Sequence, residues 1–236
     1  MSQVYLGKDL EAMSFAPNYH QWILKEFMPY LGTQVAEVGA GTGNFSQLLL
    51  QTGVLQKLVA LEPSGNMFEK LQEGLKSAVQ SEQVEAKQAF FGDCNYDGCF
   101  DTVFYINVLE HIQNDAQELH YVKQSLKPGG HLCLFVPALS YLYSELDKQV
   151  GHVRRYHKNP LKELVIQAGF KLINIKYFDI LGILPWYIAF VLLKQTTNST
   201  NVSLYDKLAV PVMSRIEPRL IPPIGKNLLV VAQKPL

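Results

Sequence analysis

The stretch Gln34-Val35-Ala36-Glu37-Val38-Gly39-Ala40-Gly41-Thr42-Gly43-Asn44-Phe45 constrains the fold of this chain more than any other. A short apolar run carries an acid near its end, passes three glycines at alternate positions, and enters a run (Phe45, Leu48, Leu49, Leu50) that reads as a helix. Strand, glycine turn and helix start make the first unit of a doubly wound α/β sheet, because glycine lets the backbone turn sharply and approach a bound nucleotide. The chain beyond Leu50 alternates in the same way. Residues 57–62 read as a second strand ending in Glu62, residues 84–91 as a third leading into Gly92-Asp93-Cys94, and residues 100–106 as a fourth. The fourth is almost wholly apolar, as in a sheet covered on both faces. A helix over residues 115–126, a turn at Lys127-Pro128-Gly129-Gly130 and a fifth strand over residues 131–137 come next. Residues 171–178 and 227–234 supply a sixth and a seventh strand. Strands and helices alternating through short links imply parallel pairing with right-handed crossovers.

The glycine spacing and the acids bear on the ligand. A dinucleotide site asks for Gly-x-Gly-x-x-Gly, with helix-start amides facing a pyrophosphate. Here the third glycine falls one position early, at Gly43, and Asn44 stands where the dinucleotide glycine belongs. Glu37 would repel a pyrophosphate but suits a cationic amino group. S-adenosylmethionine carries such a group, with a sulfonium and no phosphate. Glu62, about twenty residues beyond the loop, is placed to accept from ribose hydroxyls, although it could instead cap the helix beginning near Ser64. Asp93 could accept from an adenine amine or simply hold its own turn. Met67 could face an adenine ring or pack as core.

At 236 residues the chain can bury one substantial core, so a single domain over residues 1–236 is expected. Formal net charge is zero, which gives no support to a nucleic-acid partner held by bulk electrostatics. Cys94, Cys99 and Cys133 show neither CxxC spacing nor nearby paired histidines, so no metal site or disulfide framework is expected and a reducing compartment fits. The N-terminus has no basic segment followed by an apolar core, and a cytoplasmic location, peripheral to the membrane if the chain touches lipid, is the expectation.

Residues 1–31 read as a helical cap, with helices at 10–13 and 22–27 broken by an Ala16-Pro17-Asn18-Tyr19 turn. Asn18, Tyr19 and Trp22 would meet the cofactor mouth, or else Trp22 and Phe27 dock the helix as core. Nearly fifty residues separate strands six and seven, too many for a structureless loop. Residues 180–193 form an apolar run broken by Gly182 and Pro185, and residues 202–217 read as another helix. The run is too short to span a bilayer. This 179–225 insertion reads first as a lid over the substrate pocket, then as a shallow membrane-surface contact, then as a dimer interface. After strand five, before a helix over residues 161–168, comes Gly151-His152-Val153-Arg154-Arg155-Tyr156-His157. Ligands bind at the carboxyl ends of strands in such sheets, so this segment borders the substrate site. It offers a base, cations for an anionic group and a phenol. Alternatively, the arginines pair with surface carboxylates and Tyr156 packs.

Residues 34–137 resemble the class I S-adenosylmethionine-dependent methyltransferases, family type eleven or twelve. The matching pieces are Glu37-Val38-Gly39-Ala40-Gly41-Thr42-Gly43, Leu61-Glu62-Pro63, Gly92-Asp93, Asn107-Val108-Leu109-Glu110-His111-Ile112 and Leu126-Lys127-Pro128-Gly129-Gly130, in order. The Gly-His-x-Arg-Arg-Tyr segment resembles one found in a subset of bacterial methyltransferases. The resemblance implies a seven-stranded sheet with an antiparallel last strand and S-adenosylmethionine as cofactor. It places Gly39, Gly41 and Gly43 along the cofactor, Glu37 at its methionine part, Glu62 at the ribose, Asp93 at the adenine amine and Asn107 near the sulfonium. Ala40, Pro63, Cys94 and Val108, in or beside these pieces, are read as cofactor contacts with Tyr19 and Met67.

Methyl transfer is an in-line displacement, and for a hydroxyl acceptor a base helps; His152 and His111 are candidates, with Tyr156 beside them. Arg154, Arg155 and Trp186 are the candidate substrate contacts. The expected acceptor is a small or lipid-like molecule methylated on oxygen or nitrogen. Two rival readings stand: a nicotinamide-dependent oxidoreductase on the same sheet, and a non-catalytic module that keeps the cofactor pocket. The oligomeric state is left open.

Overall fold

The computed structural model describes residues 16–195, 199–220 and 222–236. The expected helix at residues 10–13 lies outside them. Seven strands form one sheet in the order β3-β2-β1-β4-β5-β7-β6. They are β1 (Gln34–Val38), β2 (Lys57–Leu61), β3 (Val84–Lys87), β4 (Phe100–Ile106), β5 (Leu126–Pro137), β6 (Lys171–Phe178) and β7 (Asn227–Gln233). The first five run parallel, and β7 lies antiparallel between β5 and β6. The mostly parallel seven-stranded sheet read from the sequence is the fold observed.

The central strands are apolar on both sides because successive side chains point to opposite faces. Val103, Tyr105, Leu132 and Leu134 enter one core, while Phe104, Cys133, Phe135 and Leu229 enter the other. Each such fully buried side chain contributes about 1.5–3 kcal/mol. Helix α1 (Pro17–Phe27) covers the second face. Pro17 opens this helix rather than breaking one, since a proline's missing N–H costs nothing in the first turn. Trp22 and Phe27 are core, the Trp22 ring 3.9 Å from that of Phe178, so the reading of Trp22 as a contact at the cofactor mouth gives way to the packing one.

Strand ends are where sequence and structure part. β3 stops at Lys87 instead of residue 91, because its sole neighbour β2 ends opposite it, at Leu61. β5 starts at Leu126, five residues early, since Leu126 pairs with Phe100 across an irregularity that absorbs the Lys127-Pro128-Gly129-Gly130 turn. The remaining helices are α2 (Asn44–Gln51), α3 (Gly65–Gly74), α4 (Lys76–Gln80), α5 (Asp115–Ser125), α6 (Glu145–Gln149) and α7 (Lys158–Gln167). Between β6 and β7 lie α8 (Ile183–Trp186), a π-helical turn (Tyr187–Leu192), α9 (Ser199–Leu208) and α10 (Val210–Leu220). The single helix expected over residues 202–217 is thus two, parted at Ala209.

Two buried acids help to fasten the insertion. Asp206 of α9, buried, accepts from the Tyr19 amide at 2.8 Å and the Asn18 amide at 3.2 Å. It caps α1, whose own Ala16 offers no side-chain acceptor. Glu217 of α10 accepts from the amides of Asp179 (2.7 Å) and Ile180 (3.0 Å) just past β6.

Candidate active site

Sequence order reverses between β1 and β4, and the loops after their carboxyl ends flank the crevice where such sheets bind ligands. Gly39, with φ of +68°, leaves β1 under Val108; a Cβ there would lie 2.5 Å from Val108 Cγ2. Gly43, with φ of +85°, is the N-cap of α2, and its missing Cβ would meet Leu71 at 3.0 Å. The loop therefore exposes backbone rather than side chain to whatever sits above it. Ala40 continues the turn with its amide on the Leu61 carbonyl at 2.9 Å, which ties the loop to β2.

Two carboxylates frame this loop. Glu37 is buried and accepts from the Ser46 hydroxyl on α2. Burial pushes its pKa up to about 8, the Ser46 hydrogen bond opposing and the charge of Glu62 adding. Glu62, just past β2, accepts from the Gly41 amide at 2.9 Å and the Ser64 amide at 2.8 Å. One oxygen holds the glycine loop and the other the start of α3, and each keeps a lone pair for a further donor. Asn107, at the end of β4, has φ of +54°, a left-handed backbone Asn tolerates better than most residues. Its amide is fixed to the Phe135 carbonyl at 2.8 Å.

The other cofactor candidates are less gathered. Asp93 closes a short 3₁₀ turn (Phe91–Asp93) and is exposed, while Cys94 is half-buried against the core. Pro63 is half-buried between Glu62 and Ser64, and Met67 is buried in the first turn of α3. Tyr19 is buried, its hydroxyl 3.1 Å from both Asp179 Oδ2 and Asn227 Oδ1, and one side of it borders a large cavity.

That cavity, of about 590 Å³, lies beyond Asn107, between the strand ends and the insertion. The insertion supplies Pro185, Trp186, Ala189, Phe190, Leu204 and Val210, and α6 with the loop after it supplies Leu146, Val150 and His152. The sheet side contributes Asn107, Pro137 and Asn227. Two cations reach it, both neutralised. Lys226 pairs with Asp179 at 2.8 Å. Arg155 is buried on Asp147, with Nε 2.9 Å from Oδ1. The ring of Trp186 stands between them, 4.8 Å from the guanidinium and 5.6 Å from the ammonium, and its indole N–H donates to the Leu142 carbonyl at 3.0 Å.

Asp147 organises the polar wall. It accepts from the Ser144 amide and hydroxyl, both at 2.8 Å, completing a capping box on α6, and its Oδ1 lies 2.8 Å from His152 Nδ1. Burial works against its charge, but the hydrogen bond from His152 and the charge of Arg155 hold its pKa below the usual range. Behind His152 stand His111, its ring 4.7 Å away, and Glu110, whose buried carboxylate is 3.7 Å from His152 Nε2. Burial raises Glu110 to about 7, against the opposing pull of His152; burial and His152 lower His111 to about 4.

Tyr156 and Arg154 are turned to structural work. The Tyr156 hydroxyl is 3.0 Å from Asp115 Oδ2 and 3.2 Å from the Leu109 carbonyl, and burial holds its pKa far above the ordinary phenol value. Arg154 pairs with the same Asp115 and donates to the Gln113 carbonyl at 2.7 Å. Neither residue lines the cavity, and nor does His111; of the segment's candidates His152 and Arg155 do. Sequence reading missed Asp147, Asp179, Lys226 and Asn227. Only Asp147 left a local trace, the Ser144-x-x-Asp147 capping pattern; the rest meet through contacts across the sheet.

The fold is Rossmann-like, and two buried acids frame the β1 loop at its crevice. A family model described as a methyltransferase domain matches residues 17–175, and the chain belongs to that family, the class I S-adenosylmethionine-dependent methyltransferases. It is 30% identical over 135 residues to the tRNA U34 carboxymethyltransferase of Campylobacter hominis, a match covering 50% of this chain and 45% of that protein. It is 25% identical over 170 residues to the ubiquinone biosynthesis O-methyltransferase of Xanthomonas oryzae pv. oryzae, covering 66% of this chain and 68% of that one. The chain thus spans less than half the length of the Campylobacter relative. In fold it is similar to the phosphoethanolamine N-methyltransferase 2 of Haemonchus contortus in complex with S-adenosyl-L-methionine, with a TM-score of 0.65 and 19% identity over 93% of this chain and 53% of that one.

Proposed function

We propose that this chain transfers a methyl group to an oxygen or nitrogen of a hydrophobic, small or lipid-like acceptor bound beneath the insertion. The observation that carries this reading is the mainly apolar cavity that begins at Asn107, next to the crevice over Gly39 and Glu37. The cofactor residues fit S-adenosylmethionine: a loop that a Cβ at Gly39 would obstruct, a buried acid that would repel a phosphate, and a second acid with lone pairs to spare. When bound, S-adenosylmethionine supplies a methyl group already activated by its sulfonium. Glu37 would meet the amino group and Glu62 the ribose hydroxyls, while Asn107 faces the junction with the cavity. The insertion then serves as a lid that excludes water and holds the acceptor in line, an effect worth roughly 7–11 kcal/mol. His152, which lines the cavity and holds Nδ1 2.8 Å from Asp147, would take a proton from an acceptor hydroxyl.

The name of the Xanthomonas relative favours oxygen as the acceptor atom. A nucleic-acid acceptor, after the Campylobacter relative, finds less support: formal net charge is zero, and both cations at the cavity are paired with buried acids. A lipid-borne acceptor has a further observation in its favour. Exposed aliphatic side chains recur at helical spacing along the insertion, at Leu184, Ile188 and Leu192, at Leu204 and Leu208, and at Val212, Ile216 and Leu220. Its exposed charged residues, Lys194, Lys207, Arg215 and Arg219, are all basic. No helix among the described residues is long and apolar enough to cross a membrane.

Labelled methyl transfer from S-adenosylmethionine into a total lipid extract and into an aqueous extract, followed by mass spectrometry, tests the reading. Label in a lipid-soluble product is the expected result; label confined to RNA or protein would contradict it. Alanine at His152 should leave cofactor affinity near wild type and lower turnover, and loss of binding alone would remove His152 from acceptor chemistry.

A further inference from the structure

Glu110, His111 and His152 make a second polar centre beside the cavity. Ligand-type atoms from the three, one from each side chain, all lie within 4.8 Å of one another. Glu110 is fully buried, and neither carboxylate oxygen has a hydrogen-bond partner among the described residues. Such a group normally costs about 1–3 kcal/mol, more when charged, and in a native fold it asks for an explanation. Arg155 is already committed to Asp147, and His152, 3.7 Å from the carboxylate, stands beyond hydrogen-bond reach.

The spacing supplies the explanation. His152 Nε2 and Glu110 Oε1 are 3.7 Å apart, too far for a hydrogen bond. Two ligands sharing one ion through bonds of about 2.0–2.2 Å stand only slightly closer than that. The other nitrogen of His152 lies 2.8 Å from Asp147 Oδ1, the outer carboxylate that fixes tautomer and ring orientation in metal-ligating imidazoles. Asp147 is itself held by Arg155 and Ser144, so this support is rigid. Glu110 and His111 come from the turn after β4 and His152 from the loop after α6, joined by the Val153 amide on the Glu110 carbonyl at 2.9 Å.

We propose that Glu110, His111 and His152 bind one divalent transition-metal ion at the wall of the acceptor cavity. Two imidazole nitrogens and one carboxylate oxygen suit zinc or cobalt, and three protein ligands leave a position open to water or to an acceptor oxygen. The ion's use in catalysis rests on the methyltransferase reading, where it would take over from the His152 imidazole in making an acceptor hydroxyl acidic; its binding does not.

The test titrates Co²⁺ into chelator-treated full-length protein, by calorimetry and by visible absorption, in the absence of cofactor and acceptor. One equivalent with the absorption bands of a low-symmetry site is expected. Glu110→Gln and His111→Gln should each weaken it at least tenfold, and His120→Gln, an exposed control, should not. Circular dichroism and binding of S-adenosylhomocysteine by each variant show that it is folded. No stoichiometric Co²⁺ in the folded wild type, or equal affinity in folded Glu110→Gln, would overturn the site. Co²⁺ binding by a protein that ignores S-adenosylhomocysteine would leave the site standing and sink the methyltransferase reading instead.

Discussion

Glu37 needs its charge only when there is a positive group to meet it. Burial holds its pKa near 8, so close to neutrality the buried carboxyl keeps its proton much of the time. A raised carboxyl contributes stability fully below its unfolded value, and that contribution is lost as the pH rises through about 8. Binding runs the other way: a cationic amine favours the ionised carboxylate, so protons compete with the cofactor. S-adenosylmethionine affinity is therefore expected to increase with pH up to about 8, by at most about tenfold per pH unit, with proton release seen as a buffer-dependent heat in calorimetry. Flat affinity with no proton release would take Glu37 away from the amine. Glu62→Ala should weaken cofactor binding by one to two orders of magnitude, roughly 1.4–2.8 kcal/mol. Unchanged affinity would leave Glu62 with the backbone-tying role its contacts to Gly41 and Ser64 already give it. These two acids were legible because each ends or follows an apolar strand at a characteristic distance from the glycines. Glu110 as a centre of its own was not, since nothing local says that its carboxylate will be buried 3.7 Å from His152.

At the level of elements, buried acids fasten the variable parts to the sheet. Asp206→Ala should release the first turn of α1 and cost about 0.5–2 kcal/mol, read as a lower denaturant midpoint with an unchanged slope. Asp147→Asn strands the buried guanidinium of Arg155 and should cost about 3–5 kcal/mol, while replacement of both by apolar residues should recover much of it. A midpoint unmoved by Asp147→Asn would mean that Arg155 finds water or another acceptor. Strands were readable from apolar runs because this sheet is covered on both faces. Their ends were not, because an end is set by where the neighbour stops: β3 gives out opposite Leu61, whatever residues 88–91 prefer. The capping of α1 by Asp206 joins residues 187 apart at Tyr19, a contact no local pattern announces.

The whole molecule is a two-sided sheet whose carboxyl edge is shared by the crevice over the glycine loop and an apolar chamber roofed by the insertion. The crevice was legible in the sequence because the fold repeats it from fixed motifs; the chamber was not, since its walls come from segments that meet only after folding. The aliphatic and basic exterior of the insertion predicts sedimentation with vesicles containing anionic lipid, weakened by salt and by a Leu184→Asp and Leu192→Asp pair. Equal recovery with neutral and anionic vesicles would argue that this exterior meets protein instead. The central claim is that the crevice over Gly39 takes a cationic, phosphate-free cofactor, and the most direct measurement is calorimetry of the intact chain with S-adenosylhomocysteine and, in parallel, NADH. One equivalent of S-adenosylhomocysteine bound, weakened in Glu62→Ala, with no heat from NADH, is the predicted result. Binding of NADH with none of S-adenosylhomocysteine would contradict the account.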